Sequence, residues 1–158
     1  FRTSCVPEHV TEPAMVYVSF PTEYGTLYTL DELEDLRSAC DEYGLMLFID
    51  GARMSYGLAA ECNDVALSDF ARLADAFYLG GTKCGALFGE AVVVTNERIA
   101  SHFRSYIKRA GGMLAKGWLL GVQFSALLED GLYFDIARTA VQQAMRIRRA
   151  FAEAGVPA

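Results

Sequence analysis

Lysine is scarce in this chain: Lys83, Lys108 and Lys116 are the only three in 158 residues. There is no basic stripe either. Lys and Arg number 14 against 20 Asp and Glu, a net charge of −6, which excludes the electrostatic footprint of a nucleic-acid binder. The one dense cationic cluster, Arg146, Arg148 and Arg149, reads as the solvated end of a helix, where cations suit the dipole. Histidine is confined to His9, four residues after Cys5, and His102. Cys5, Cys40, Cys62 and Cys84 contain no C-x-x-C pair, which excludes a structural zinc site and a disulfide-dense secreted domain. They read as reduced thiols of a cytoplasmic protein. No apolar run approaches the ~20 residues that a membrane-spanning helix needs. The polar, broken start has no signal-peptide pattern. It opens on Phe1 rather than Met, so the chain is expected to be a piece of something longer. Internal repeats, low-complexity tracts and linkers are missing as well.

What is present is globular composition with an apolar lean, 53% apolar and 22% charged. The length suits about one domain. Met15 to Phe20 is β-branched and aromatic and stops at Pro21, which predicts a strand. Thr29 and Glu32 form a capping box. Leu30, Leu33, Leu36, Cys40 and Tyr43 follow at helical spacing, with acids and Arg37 on the opposite face, and Gly44 supplies a left-handed stop. Leu45 to Ile49 does not alternate, so it reads as a strand buried on both faces in a parallel sheet. Strand, helix and strand make a βαβ unit. A short helix over Ser68–Ala74 is predicted next, then strands over Ala76–Leu79 and Ala91–Thr95. Asn96 caps a helix towards Arg109, and Gly111-Gly112 break it. Leu114 to Glu129 reads as a buried helix. After Gly131 a last helix presents Ala137, Val141, Ala144, Arg148 and Phe151 on one stripe and ends at Gly155-Val156-Pro157. The class is α/β, then helical.

In open α/β sheets, ligands sit at the carboxyl ends of the parallel strands. Asp50-Gly51-Ala52-Arg53 occupies such an end. A carboxylate there is costly unless a cation pairs with it. Arg53 and a cationic ligand are both candidates, and a simple turn cap is an equal alternative. The other end is Gly80-Gly81-Thr82-Lys83-Cys84-Gly85. It is not a phosphate loop, because G-x-x-x-x-G-K-[ST] is absent. A lysine shielded at a strand end has the lowered pKa that forming a Schiff base needs; a loop lysine reaching solvent is the plain alternative. An acid and a lysine on two strand ends of one sheet suit pyridoxal phosphate, whose aldehyde needs an amine and whose pyridine nitrogen needs a carboxylate.

Three ordered segments carry a resemblance. They are Ser19-Phe20-Pro21-Thr22-Glu23-Tyr24-Gly25-Thr26-Leu27-Tyr28, Asp50-Gly51-Ala52-Arg53, and the run from Gly80 to Glu90. Together they resemble the low-specificity threonine aldolase group of the β-eliminating lyase family, fold-type I pyridoxal-phosphate enzymes, over the central portion only. The resemblance implies an α/β, aminotransferase-like large-domain portion with a mostly parallel sheet over residues 1–131. Residues 132–158 would form a helix leading towards a small carboxy-terminal domain. It implies Lys83 as the Schiff-base lysine and Asp50 as partner of the pyridine nitrogen. Arg53 would lie near the cofactor's phenolic oxygen or the substrate carboxylate, Thr82 at the cofactor phosphate, and Lys116 at a phosphate or carboxylate. Thr22 and Glu23 would approach the pocket. Neither His9 nor His102 matches the ring-stacking position. The implied reaction is retro-aldol cleavage of a β-hydroxy-α-amino acid to glycine and an aldehyde, in a homodimer or tetramer with shared sites. β-Elimination from another amino acid, a Rossmann-like binding module and an inactive truncated chain are the rivals. The module lacks G-x-G-x-x-G after its first strand.

Overall fold

The computed structural model describes residues 11–156; Cys5, His9 and Pro157 lie outside the described residues. Four strands form one sheet in the order β1 (Met15–Ser19), β2 (Met46–Asp50), β3 (Ala76–Leu79), β4 (Ala91–Val94). The first three are parallel and β4 is antiparallel to β3. Among the described residues six α-helices accompany them: α1 (Leu30–Tyr43), α2 (Met54–Leu58), α3 (Leu67–Leu73), α4 (Glu97–Arg109), α5 (Trp118–Leu128) and α6 (Leu132–Glu153), with a 3-10 turn over Glu129–Gly131 between the last two.

The start of α1 is where the sequence puts it. Thr29 Oγ accepts from the Glu32 N–H and Glu32 reaches back to the Thr29 N–H. Gly44 closes the helix at φ +63°, a conformation that costs other residues a Cβ clash. The Arg37 side chain departs from the solvent-facing placement expected of it. It is mostly buried and ties α1 to the sheet, donating to Asp75 at 2.9 Å and to the carbonyls of Leu73 and Leu45. Burial opposes charge on Asp75. The bonds from Asn96, the Leu47 N–H and Arg37 outweigh it and hold the carboxyl below the usual range.

The core lies on one face of the sheet. Phe20, Leu47, Ile49, Phe77 and Leu79 are buried there with Leu33 and Cys40 of α1, Phe70 and Leu73 of α3, and Tyr133 and Ala137 of α6. Phe20 meets Phe70 edge to face at 4.8 Å, a contact worth about 0.5–1.5 kcal/mol beyond burial. The other face carries Met15, Tyr17, Phe48, Asp50, Tyr78 and Val92 by register. Met15, Tyr17 and Val92 are exposed on it. The expectation that β2 is buried on both faces is therefore corrected. Its burial alternates, because the helices that cover it stand on one side only.

Two helices differ from expectation in the same sense. α5 begins at Trp118, not Leu114, and buries only Phe124 and Leu127, leaving Trp118, Leu119 and Val122 exposed. In α6 the buried stripe runs through Tyr133 and Ala137 to half-buried Val141 and Met145, while Ala144, Arg148 and Phe151 are exposed. α2 is an addition. None of its described helices is long and apolar enough to cross a membrane.

The ends of β2 and β3 approach backbone to backbone. Gly80 N–H donates to the Gly51 carbonyl at 2.9 Å. A Cβ on Gly51 would lie 1.8 Å from the Tyr78 carbonyl oxygen and 2.9 Å from Met54 Cε. Gly51→Ala is therefore expected to destabilise the chain by about 3 kcal/mol, since backbone must move. A urea midpoint equal to that of the unsubstituted chain would contradict this contact.

Candidate active site

The three parallel strands end together at Ser19, Asp50 and Leu79. Asp50 is the last residue of β2, paired with Ser19 of β1. Its Oδ1 accepts from the Ala52 N–H at 2.9 Å, so the turn cap exists. The carboxylate does more than cap. Tyr78 Oη also donates to Oδ1 and Tyr17 Oη donates to Oδ2. Burial works against the charge on Asp50. The two phenols, the Ala52 N–H and the nearby Lys83 ammonium outweigh it, holding the carboxyl below its ordinary range. The phenols move the other way. Tyr17 is pushed up to about 12, first by its bond to Asp50 and then by burial and Glu23. Tyr78 is raised by burial and then by Asp50.

Neither tyrosine figured in the reading of the sequence. The signal was the register: the two strands flanking β2 each offer a phenol on the face of Asp50. Locating it requires knowing how the strands pair, which spacing along one strand does not reveal. Tyr17 also stacks on Phe48, with centroids 5.4 Å apart.

Lys83 stands in the loop after β3, exposed, its side chain attracted electrostatically to Asp50. The loop itself is tethered on several sides. Tyr133 Oη of α6 donates to the Gly80 carbonyl at 2.9 Å. Cys84 Sγ donates to the Tyr133 carbonyl at 3.2 Å. Tyr56 Oη of α2 donates to the Lys83 carbonyl. Glu90 accepts from the Gly81 N–H and, at 3.3 Å, from Thr82 Oγ. Buried Tyr133 has its phenol pushed up to about 12, chiefly by burial. The backbone of the lysine loop is thus fixed while the amine is left to solvent.

The remaining candidates are less gathered. Arg53 does not pair with Asp50. It is half-buried and donates to Glu23 at 3.1 Å, because it follows the turn that carries the chain away from β2 towards the Thr22–Thr26 loop. Thr22 is occupied locally, with its hydroxyl 2.6 Å from that of Thr26. Lys116 is exposed in the turn before α5. No hydrogen bond or ion pair joins it to Asp50 or Lys83 among the described residues.

A family model described as β-eliminating lyase matches residues 3–157. The chain belongs to the β-eliminating lyase family. Among curated relatives, the low-specificity L-threonine aldolase of a Pseudomonas species is 36% identical over 126 residues, 79% of this chain and 36% of that protein. The enzyme of the same name from Pseudomonas aeruginosa is 36% identical over 130 residues, 82% of this chain and 37% of that protein. Of solved structures, Leishmania major threonine aldolase superposes with a TM-score of 0.92 at 42% identity, covering 97% of this chain and 46% of that one. The fold is therefore the expected α/β architecture of fold-type I, with its sheet mostly parallel. The chain spans less than half the length of these relatives.

Proposed function

We propose that this family member supplies the central part of a pyridoxal-phosphate-dependent lyase that cleaves β-hydroxy-α-amino acids, of the threonine aldolase type, to glycine and an aldehyde. The observation that carries the reading is Asp50. It is a carboxylate kept ionised at the end of a parallel sheet, on an open face, within electrostatic reach of a lysine whose loop backbone is pinned. That donor set fits the cofactor: an acceptor for a protonated ring nitrogen and an amine for an aldehyde carbon. When bound, pyridoxal phosphate supplies the electron sink for the pair released as the Cα–Cβ bond breaks.

The chain's own residues then have separate tasks. Lys83 would hold the cofactor's aldehyde carbon through its amine. Asp50 would accept from the protonated ring nitrogen and keep its proton in place. Arg53, paired with Glu23 in this structure, would serve the cofactor's phenolic oxygen or the substrate carboxylate. Thr82, whose hydroxyl donates to Glu90, would turn it to the cofactor phosphate. Lys116 reaches an anionic group only if the turn before α5 closes on the site. The latter half of α6, exposed at Arg148, Arg149 and Phe151, suits a segment leading away from the 1–131 unit, in keeping with a separate small domain.

The test of the reaction is product analysis. Residues 11–156, exchanged into the matching part of the Pseudomonas enzyme, are expected to release glycine and acetaldehyde from threonine, and benzaldehyde from phenylserine. Ammonia and a keto acid as the main products would favour β-elimination and overturn the aldolase reading.

The 158 residues by themselves are expected to behave differently. They span less than half of their relatives' length, and the open sheet face and Trp118, Leu119 and Val122 of α5 are exposed apolar surface, a pattern that marks an interaction site in soluble proteins. We expect the chain alone to hold pyridoxal phosphate weakly, to show no aldolase turnover and to associate with itself. Sedimentation alongside a cleavage assay checks this; a monodisperse monomer with robust turnover contradicts it.

A further inference from the structure

The carboxylate of Asp50 has about four lone-pair places. Three are taken: two on Oδ1, by the Ala52 N–H and the Tyr78 hydroxyl, and one on Oδ2, by the Tyr17 hydroxyl. The remaining place is on Oδ2, on the sheet face that Tyr17 shares and that no helix covers among the described residues. The two phenols come from different strands, so they fix the carboxylate plane against rotation from both sides. Each ring is itself seated beside Phe48, Tyr17 stacked at 5.4 Å and Tyr78 tilted at 6.2 Å. An unassisted Asp at a strand end could turn and accept a forked, bidentate donor such as a guanidinium. With one place left, this one cannot.

We propose that Tyr17 and Tyr78 are positioning residues that clamp Asp50, so that the site accepts one single N–H donor of the protonated ring-nitrogen type and rejects bidentate cations. The clamp is independent of the cofactor reading. Only the identity of the donor rests on that reading. The phenols also keep the carboxylate ionised, and the neighbouring charges that act on the group are Lys83 towards Asp50, Glu23 towards Tyr17 and Glu90 towards Tyr78.

The test begins with the 158-residue chain without cofactor, carrying isotope-labelled aspartate, with Asp50 assigned through Asp50→Asn. Tyr17→Phe and Tyr78→Phe keep both rings and remove only the hydroxyls. Each is expected to move the Asp50 titration up towards the ordinary carboxylate range, and the double variant further, with the circular dichroism spectrum unchanged. Reciprocally, Asp50→Asn is expected to bring two phenol ionisations down into the ordinary tyrosine range by tyrosinate absorbance, and these two are the ones lost in the Phe variants. An Asp50 titration identical in the double variant overturns the clamp. A second arm compares binding of pyridoxal phosphate with its analogue bearing carbon in place of the ring nitrogen. The unsubstituted chain is expected to prefer pyridoxal phosphate by about tenfold, a hydrogen bond to a charged group, and the double variant to narrow that preference. Equal binding of the two in the unsubstituted chain, with the titrations shifting as stated, overturns the cofactor reading and leaves the clamp. A clear preference without any shift in titration does the reverse.

Discussion

Lys83→Ala is expected to abolish borohydride-reducible attachment of pyridoxal phosphate and to leave the fold in place. Attachment needs a primary amine, and alanine offers none. The fold survives because the exposed side chain fills no cavity. The loop is also held through backbone atoms, by Tyr56 at the Lys83 carbonyl, Tyr133 at the Gly80 carbonyl and Glu90 at the Gly81 N–H. The measurement is reduction with borohydride followed by peptide mapping. In the unsubstituted chain the label belongs on the peptide containing Lys83. A label on Lys108 or Lys116 would overturn the assignment. Arginine at position 83 would serve as a control, restoring charge near Asp50 without an amine that can attach.

Asp50→Asn, measured in the full-length setting of the exchange into the Pseudomonas enzyme, is expected to lower turnover by roughly two to four orders of magnitude while binding of the cofactor falls only modestly. The electron sink works while the ring nitrogen stays protonated, and that needs an anionic partner. Asparagine keeps the shape and can still accept from the Ala52 N–H, so the turn persists. Its amide cannot take both phenols as the carboxylate does. Asp50→Glu, which restores the charge, is expected to recover part of the loss. Turnover near that of the unsubstituted enzyme in Asp50→Asn would reduce Asp50 to the cap of its turn.

These expectations start from residues that the sequence marks clearly, and the reasons are local. Thr29, Glu32 and Gly44 write the limits of α1 in the chemistry of its own ends. Asp50 and Lys83 are conspicuous as an acid and an amine closing apolar runs. What could not be read depends on neighbours distant in the chain. α2 is five residues long, has Arg53 as an N-cap that makes no side-chain capping bond, and contains Gly57; its place is set by packing, with Gly57 pressed against Phe20 and Pro21. The one-sided burial of β2 and the exposure of α5 were illegible because an apolar residue looks the same whether its cover is present or lies elsewhere. Arg53 was aimed at the nearest acid along the chain, Asp50. The turn carries it instead to Glu23, 30 positions away. Tyr17 and Tyr78 were hidden among strand aromatics until the pairing of strands put both hydroxyls on one carboxylate.

Tyr133 makes the beginning of α6 part of a latch. Its hydroxyl reaches the first glycine of the lysine loop, and its carbonyl receives the thiol of the residue after the lysine. The two bonds lie at the phenol tip and the backbone carbonyl of one residue and close a bracket around Gly80–Cys84. A roll of α6 about its axis therefore breaks one bond or drags the loop along. The far end of this 22-residue helix stands about 33 Å from the hooked end at 1.5 Å per residue, so a small tilt at the loop is magnified along its length.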